Sequence, residues 1–152
     1  MRRMFLSSIL AVCATFAVSS VASADRAVPF HGRATGAITA VTPGTLGVSL
    51  EVAATGSATR LGQFSRQEVL LLDPTTNTFA GLVTFTAANG DRLIGQVTGG
   101  FVSPTTATGR YTFVGGTGRF TGATGKAAFS LESPDGVNFV VEFGGRLEGL
   151  AR

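Results

Sequence analysis

Apolar and polar residues alternate with a period of two along segment after segment of this chain, and no apolar stripe of helical period persists for three turns after residue 24. Alternate residues of a strand face opposite sides, so the pattern calls for sheet with one buried face. Eight segments carry it: 30–41, 46–58, 60–72, 79–87, 91–102, 107–114, 121–133 and 138–149, separated by Gly, Pro and Asp punctuation. Asn89-Gly90 predicts a two-residue type I′ hairpin, the turn that needs positive φ at both central positions. The connections are too short for crossover helices, so the sheet is antiparallel and must hide its edges. An all-β, eight-stranded antiparallel barrel is expected, with a β-sandwich as the alternative. Glycines within the strands, at Gly32, Gly36, Gly95, Gly99, Gly125 and Gly144, suit the strong bending that closure demands.

The segment before the first strand has a different character. Arg2 and Arg3 precede a nearly uncharged apolar run from Phe5 to Val18, and Ala22-Ser23-Ala24 ends it with a small-x-small pattern. This reads as a signal peptide cleaved after Ala24, giving a secreted or periplasmic protein whose residues 25–152 form one barrel domain. The apolar run is 14 residues long, against the roughly 20 that span a bilayer, so no stable membrane insertion is expected after cleavage. Leu10-Ala11-Val12-Cys13 resembles a lipoprotein box, but Val12 occupies a position that normally carries a small residue.

Cleavage changes what chemistry the chain can offer. The one cysteine, Cys13, leaves with the signal, and Arg2 and Arg3 take most of the net charge of +3 with them. A nucleic-acid partner loses its electrostatic footing. With His31 as the one histidine and no cysteine, a zinc or copper site cannot be assembled, and Asp73, Asp91 and Asp135 sit in separate turns without calcium-loop spacing. A Ser-His-Asp triad would have to use His31, which reads instead as an exposed strand residue, and there is no G-x-S-x-G elbow. No metal and no cofactor are expected.

The alternation assigns inward faces on most strands: Leu46/Val48/Leu50/Val52, Phe79/Val83/Phe85, Tyr111/Phe113, Ala127/Phe129/Leu131 and Phe139/Val141/Phe143/Leu147. Glu51, Arg110, Glu132, Glu142, Arg146 and Glu148 fall on the other side. The third segment breaks the rule, because Phe64, Leu70 and Leu72 share a face with Arg66 and Glu68. Two readings follow. Either Arg66 and Glu68 point inward as a buried pair, a candidate pocket-lining site together with the Tyr111 hydroxyl, or a bulge switches faces and leaves both charges in solvent.

One local motif is more specific. Gly115-Gly116-Thr117-Gly118-Arg119-Phe120-Thr121-Gly122-Ala123-Thr124-Gly125 joins two strands, with glycines able to take positive φ and Phe120 able to plug the core. It is not a phosphate loop, since no helix follows and Gly125-Lys126 is followed by Ala127. The motif resembles the GGTG-x-F-x-x-A-x-G hairpin of dirigent proteins and, more loosely, of allene oxide cyclases, above all the exported bacterial members of that superfamily. The resemblance implies an eight-stranded barrel, a tendency to trimers and cofactor-free chemistry: dirigent proteins steer the coupling of bound radicals, and allene oxide cyclases close a reactive epoxide. No catalytic residue of either family can be carried over outside the hairpin. Three functions follow as expectations: a barrel that binds a small apolar molecule without turnover, a cofactor-free cyclase or coupling-directing enzyme, and a structural oligomer with a filled barrel.

Overall fold

The structure is a computed structural model that describes residues 26–151; the expected signal peptide and Asp25 lie outside them. Eight strands follow one another in a closed antiparallel barrel: β1 (Val28–Gly44), β2 (Gly47–Ala58), β3 (Gly62–Asp73), β4 (Thr78–Ala87), β5 (Arg92–Ser103), β6 (Thr106–Gly116), β7 (Thr124–Glu132) and β8 (Asn138–Glu148). Each strand pairs with its sequence neighbours, and β8 closes the ring on β1 from Val28↔Leu147 to Ala37↔Asn138. No edge is left unpaired, which removes the template for strand addition that an open sheet would present.

Four expectations are corrected in detail. The β4–β5 connection is a three-residue loop, not a type I′ turn: Gly90 N–H donates to Ala87 O, Ala87 N–H donates to Asp91 O, and positive φ falls on Gly90 alone. Asn89 serves with its side chain instead, its Oδ1 accepting from Asp91 N–H at 3.0 Å. Leu46 sits in the β1–β2 turn and is exposed, not inward. Residues 121–123 belong to the β6–β7 connection, which contains a short 3₁₀ turn, Gly118–Phe120. Finally, β3 carries no bulge; it runs in continuous register with β2 and β4, so the face-switching reading fails.

Phenylalanine rings fill most of the interior, and glycines make room for them. Phe143, Phe79 and Phe129 lie opposite Gly32, Gly99 and Gly109 on adjacent strands. A Cβ at Gly32 would stand 2.5 Å from Phe143 Cζ, and one at Gly99 2.7 Å from Phe79 Cζ. These close approaches let a ring lie across the neighbouring strand, so that eight strands enclose more aromatic volume than side chains standing upright could place there. Phe30, Phe85, Phe113 and Phe143 meet largely edge to face, with centroids 5.3 to 6.2 Å apart. Each such ring contributes roughly 1.5–3 kcal/mol through burial.

The barrel's two ends differ. At the end carrying the chain termini, Phe120 is fully buried beneath the β6–β7 connection, beside buried Leu61, Leu93, Ala123 and Leu147. Gly118, at φ +57°, lets this connection turn tightly against the Asp91 carboxylate, which receives Arg119 N–H. Thr117 Oγ1 accepts from Arg92 N–H, and Thr117 N–H donates to Arg92 O. The Phe120 plug is thus latched to the start of β5.

Candidate functional site

Toward the opposite end, where the β1–β2, β3–β4, β5–β6 and β7–β8 turns lie, the packing leaves a cavity of about 70 Å³. Its wall is mainly apolar, with Leu50, Leu70, Phe79, Phe101, Phe129 and Phe139 among its residues, and its charged members are Arg66 and Glu68. A larger hollow of about 860 Å³ is an open trough on the outer face of β1, β2, β3 and β8. The inner cavity is the better candidate, because it encloses what enters it and bears the buried charges.

Arg66 and Glu68 stand two residues apart on β3, and a strand's period of two turns both inward. They are 2 % and 4 % exposed, among the three buried polar or charged residues described. Arg66 Nε donates to Glu68 Oε1 at 2.7 Å, and Nη2 donates to the same oxygen. The guanidinium carbon lies 5.3 Å from the Tyr111 ring centroid, 5.9 Å from that of Phe85 and 6.0 Å from that of Phe139. Aromatic faces and one carboxylate therefore replace water around a cation whose uncompensated burial would be costly.

The three predicted residues Arg66, Glu68 and Tyr111 thus come together inside the barrel. Arg66 and Glu68 line the cavity, while Tyr111, fully buried on β6, lies against the guanidinium and stacks on Phe129 at 4.7 Å. Two polar atoms in the group are left over: Arg66 Nη1 and the Tyr111 hydroxyl are buried and make no hydrogen bond. Among the described residues, Glu68 accepts only from Arg66.

Burial sets the protonation of this group. It pushes the Glu68 carboxyl up from its ordinary value of 4.5, and the neighbouring Arg66 only partly offsets the rise. Burial likewise pushes the Tyr111 hydroxyl upward against the pull of Arg66, so it stays a neutral donor. For Arg66, burial favours the neutral form, but Tyr111 and Glu68 outweigh it and hold the guanidinium charged. The result is a fixed cation beside a carboxyl that burial makes less ready to give up its proton than an exposed glutamate.

Other residues stand apart. His31 is exposed on β1, and its backbone N–H donates to Thr59 Oγ1. Among the described residues, no three His, Cys, Asp or Glu side chains gather in a way that could hold a metal ion. Sequence reasoning placed Phe139 inward but missed Phe101 as a cavity wall, and the latch of Asp91, Thr117 and Arg119. The latch joins positions about 28 apart and leaves no local periodic signal.

The fold and the site together define a small closed barrel with, among the described residues, one internal ion pair. Solved structures that share its architecture include two dirigent proteins. The pterocarpan synthase dirigent protein GePTS1 superposes with a TM-score of 0.64 at 14% identity, over 98% of this chain and 100% of its own. The pterocarpan synthase dirigent protein PsPTS1 gives 0.65 at 15% identity, over 85% of this chain and 99% of its own. No protein-family model and no curated protein sequence matches the chain. The chain therefore has the dirigent-type barrel fold, and the resemblance first seen in the Gly115–Gly125 hairpin extends to the topology of the entire domain.

Proposed function

We propose that this protein is exported, with cleavage after Ala24, and that its barrel binds a small, mainly apolar molecule carrying one hydrogen-bonding group, without cofactor or turnover. The observation that carries the reading is the enclosed cavity walled by Leu, Phe and the Arg66–Glu68 pair, in which a buried guanidinium retains an unpartnered nitrogen. Buried polar atoms are usually satisfied, and an apolar cavity with a few convergent polar groups is the common form of a ligand site. The space suits roughly five water-sized groups, so the ligand is compact or reaches out through the turns.

The chain contains one tyrosine and no tryptophan, so Tyr111 reports on the interior by its own emission. Titration with pentan-2-one and cyclohexanol should change that emission saturably and raise the melting temperature, and Arg66→Met should weaken both responses. Unchanged emission and melting temperature with every compound would favour the filled structural barrel instead.

A second reading, a coupling-directing role of dirigent type, draws on the fold shared with the two pterocarpan synthase dirigent proteins. A barrel that holds a reactive species in one orientation needs few polar residues to act. Oxidising a monophenol to its radical with and without the protein decides it: an enantiomeric excess in the coupled product supports this reading, and a racemic product removes it.

A further inference from the structure

We propose that the cavity takes a short-chain weak acid, whose carboxylate pairs with the free edge of Arg66 while Glu68 takes up a proton. The proposal rests on the binding reading above and names its ligand class.

The unspent hydrogen-bonding capacity gives the polarity of the missing group. Arg66 directs Nε and one N–H of Nη2 to a single oxygen, Glu68 Oε1, and leaves the opposite edge, Nη1 with the second N–H of Nη2, unused. Tyr111, whose hydroxyl is the other unpartnered atom, packs against the guanidinium and is not part of the cavity wall, so the free donors that can meet a ligand are those of Arg66. Unused N–H donors on a fixed cation ask for an acceptor. A carboxylate meets the planar edge of a guanidinium with two parallel bonds, a stronger arrangement than a neutral carbonyl achieves.

Charge then decides the proton. Arg66 and Glu68 together are neutral when Glu68 is ionised, and a second carboxylate would leave a net negative charge in an apolar interior. Glu68 is placed to relieve it, since two carboxylates at one cation share a proton more readily than either lacks one. No other group there can serve. Tyr111 on β6 already holds its proton, and the residues beside the pair are apolar: Val52 and Ala54 opposite it on β2, Val83 and Phe85 opposite it on β4, and Leu50, Phe129 and Phe139 on the shared cavity wall. The balance is simple: the neutral acid gives its proton to the Glu68 carboxylate, and its own carboxylate is held by Arg66. The alkyl tail lies among Leu50, Leu70 and Phe79, in a space that limits it to a few carbons.

Calorimetric titration of the wild-type protein with butanoate, in two buffers of different ionisation enthalpy, counts the protons directly, and butanamide supplies a neutral molecule of the same shape. Butanoate should bind with uptake that approaches one proton as pH rises above the Glu68 titration, its affinity then falling about tenfold per pH unit. Butanamide should bind at least about tenfold more weakly, with no proton taken up. In Glu68→Gln the affinity for butanoate should lose this pH dependence; if that variant does not fold, the wild-type proton count decides alone. Equal binding of butanoate and butanamide, or butanoate binding without proton uptake, would overturn the weak-acid inference and leave the binding reading standing. Failure of butanoate, butanamide and the neutral ketone and alcohol alike at millimolar concentration would overturn both.

Discussion

One end of this barrel is finished by hydrophobic packing and the other by an ion pair, although the same eight strands build both. At the closed end Phe120, Leu61, Leu93 and Leu147 are fully or nearly fully buried, and hydrogen bonds between Thr117 and Arg92 hold the plug down. Toward the other end, β3 places Arg66 and Glu68 where aliphatic residues would pack, and the rings of Phe79, Phe101, Phe129 and Phe139 surround a cavity instead of filling it. The contrast separates two demands on one interior. The plug end meets the demand for stability, and the cavity end departs from it in the way that functional sites commonly do.

The sharpest way to break this contrast is to remove one member of the pair. Glu68→Ala should cost about 3–5 kcal/mol in chemical denaturation, because Arg66 is left buried without its counter-charge. The double variant Arg66→Met with Glu68→Leu should be close to wild type or more stable, since apolar residues of similar volume need no compensation. If the double variant were as unstable as the single one, the pair would be a structural element and the distinction between the ends would collapse.

Phe120→Ala should cost about 3–5 kcal/mol as well, at the low end if the surrounding loop collapses into the space. Unlike Glu68→Ala, it should leave the response of Tyr111 emission to added ligand unchanged, because the cavity wall does not include Phe120. A smaller effect is expected at the latch. Gly118→Ala forces a side chain into left-handed backbone and against the Asp91 carboxylate, whereas Gly122→Ala, at φ +75°, meets no close neighbour. Gly122→Ala should therefore cost about 1–2 kcal/mol, the left-handed penalty alone, and Gly118→Ala measurably more. Equal costs would mean that Asp91 yields freely and latches nothing.

How much of this was legible in the sequence differs between the ends in a physical way. Strand alternation fixes which side of a residue faces inward, so Phe79, Phe85, Phe113 and Phe129 could be placed inside from their parity, and closure followed from eight short-connected strands. Parity also singled out Arg66 and Glu68, but could not choose between a buried pair and a bulge, because that depends on the register with β2 and β4. Nor could it show which rings would surround the guanidinium. Phe139 and Tyr111 reach it from β8 and β6, far away in the chain, through the curvature of the barrel. The type of the β4–β5 turn was misread for a local reason: Asn89-Gly90 fits two loop lengths, and the Asn89 side-chain bond to Asp91 favours the longer.

The last expected effect is the smallest and concerns pH. Glu68 titrates above 4.5 in the folded protein, so between 4.5 and its folded value the native state holds more protons than the unfolded chain. Its contribution to stability is complete below the unfolded value and is lost as pH rises through the folded one, with a slope of at most about 1.4 kcal/mol per pH unit. Asp73 and Asp135 act oppositely and elsewhere: hydrogen bonds hold both below 3.8, so their contribution is lost only as pH falls through the acid range. Denaturation curves collected from pH 4.5 upward should therefore show a decline in wild type that Phe120→Ala retains and the Arg66→Met, Glu68→Leu double variant lacks. A decline that persists in the double variant would place the titrating group outside the Arg66–Glu68 pair, and the raised Glu68 carboxyl would no longer account for it.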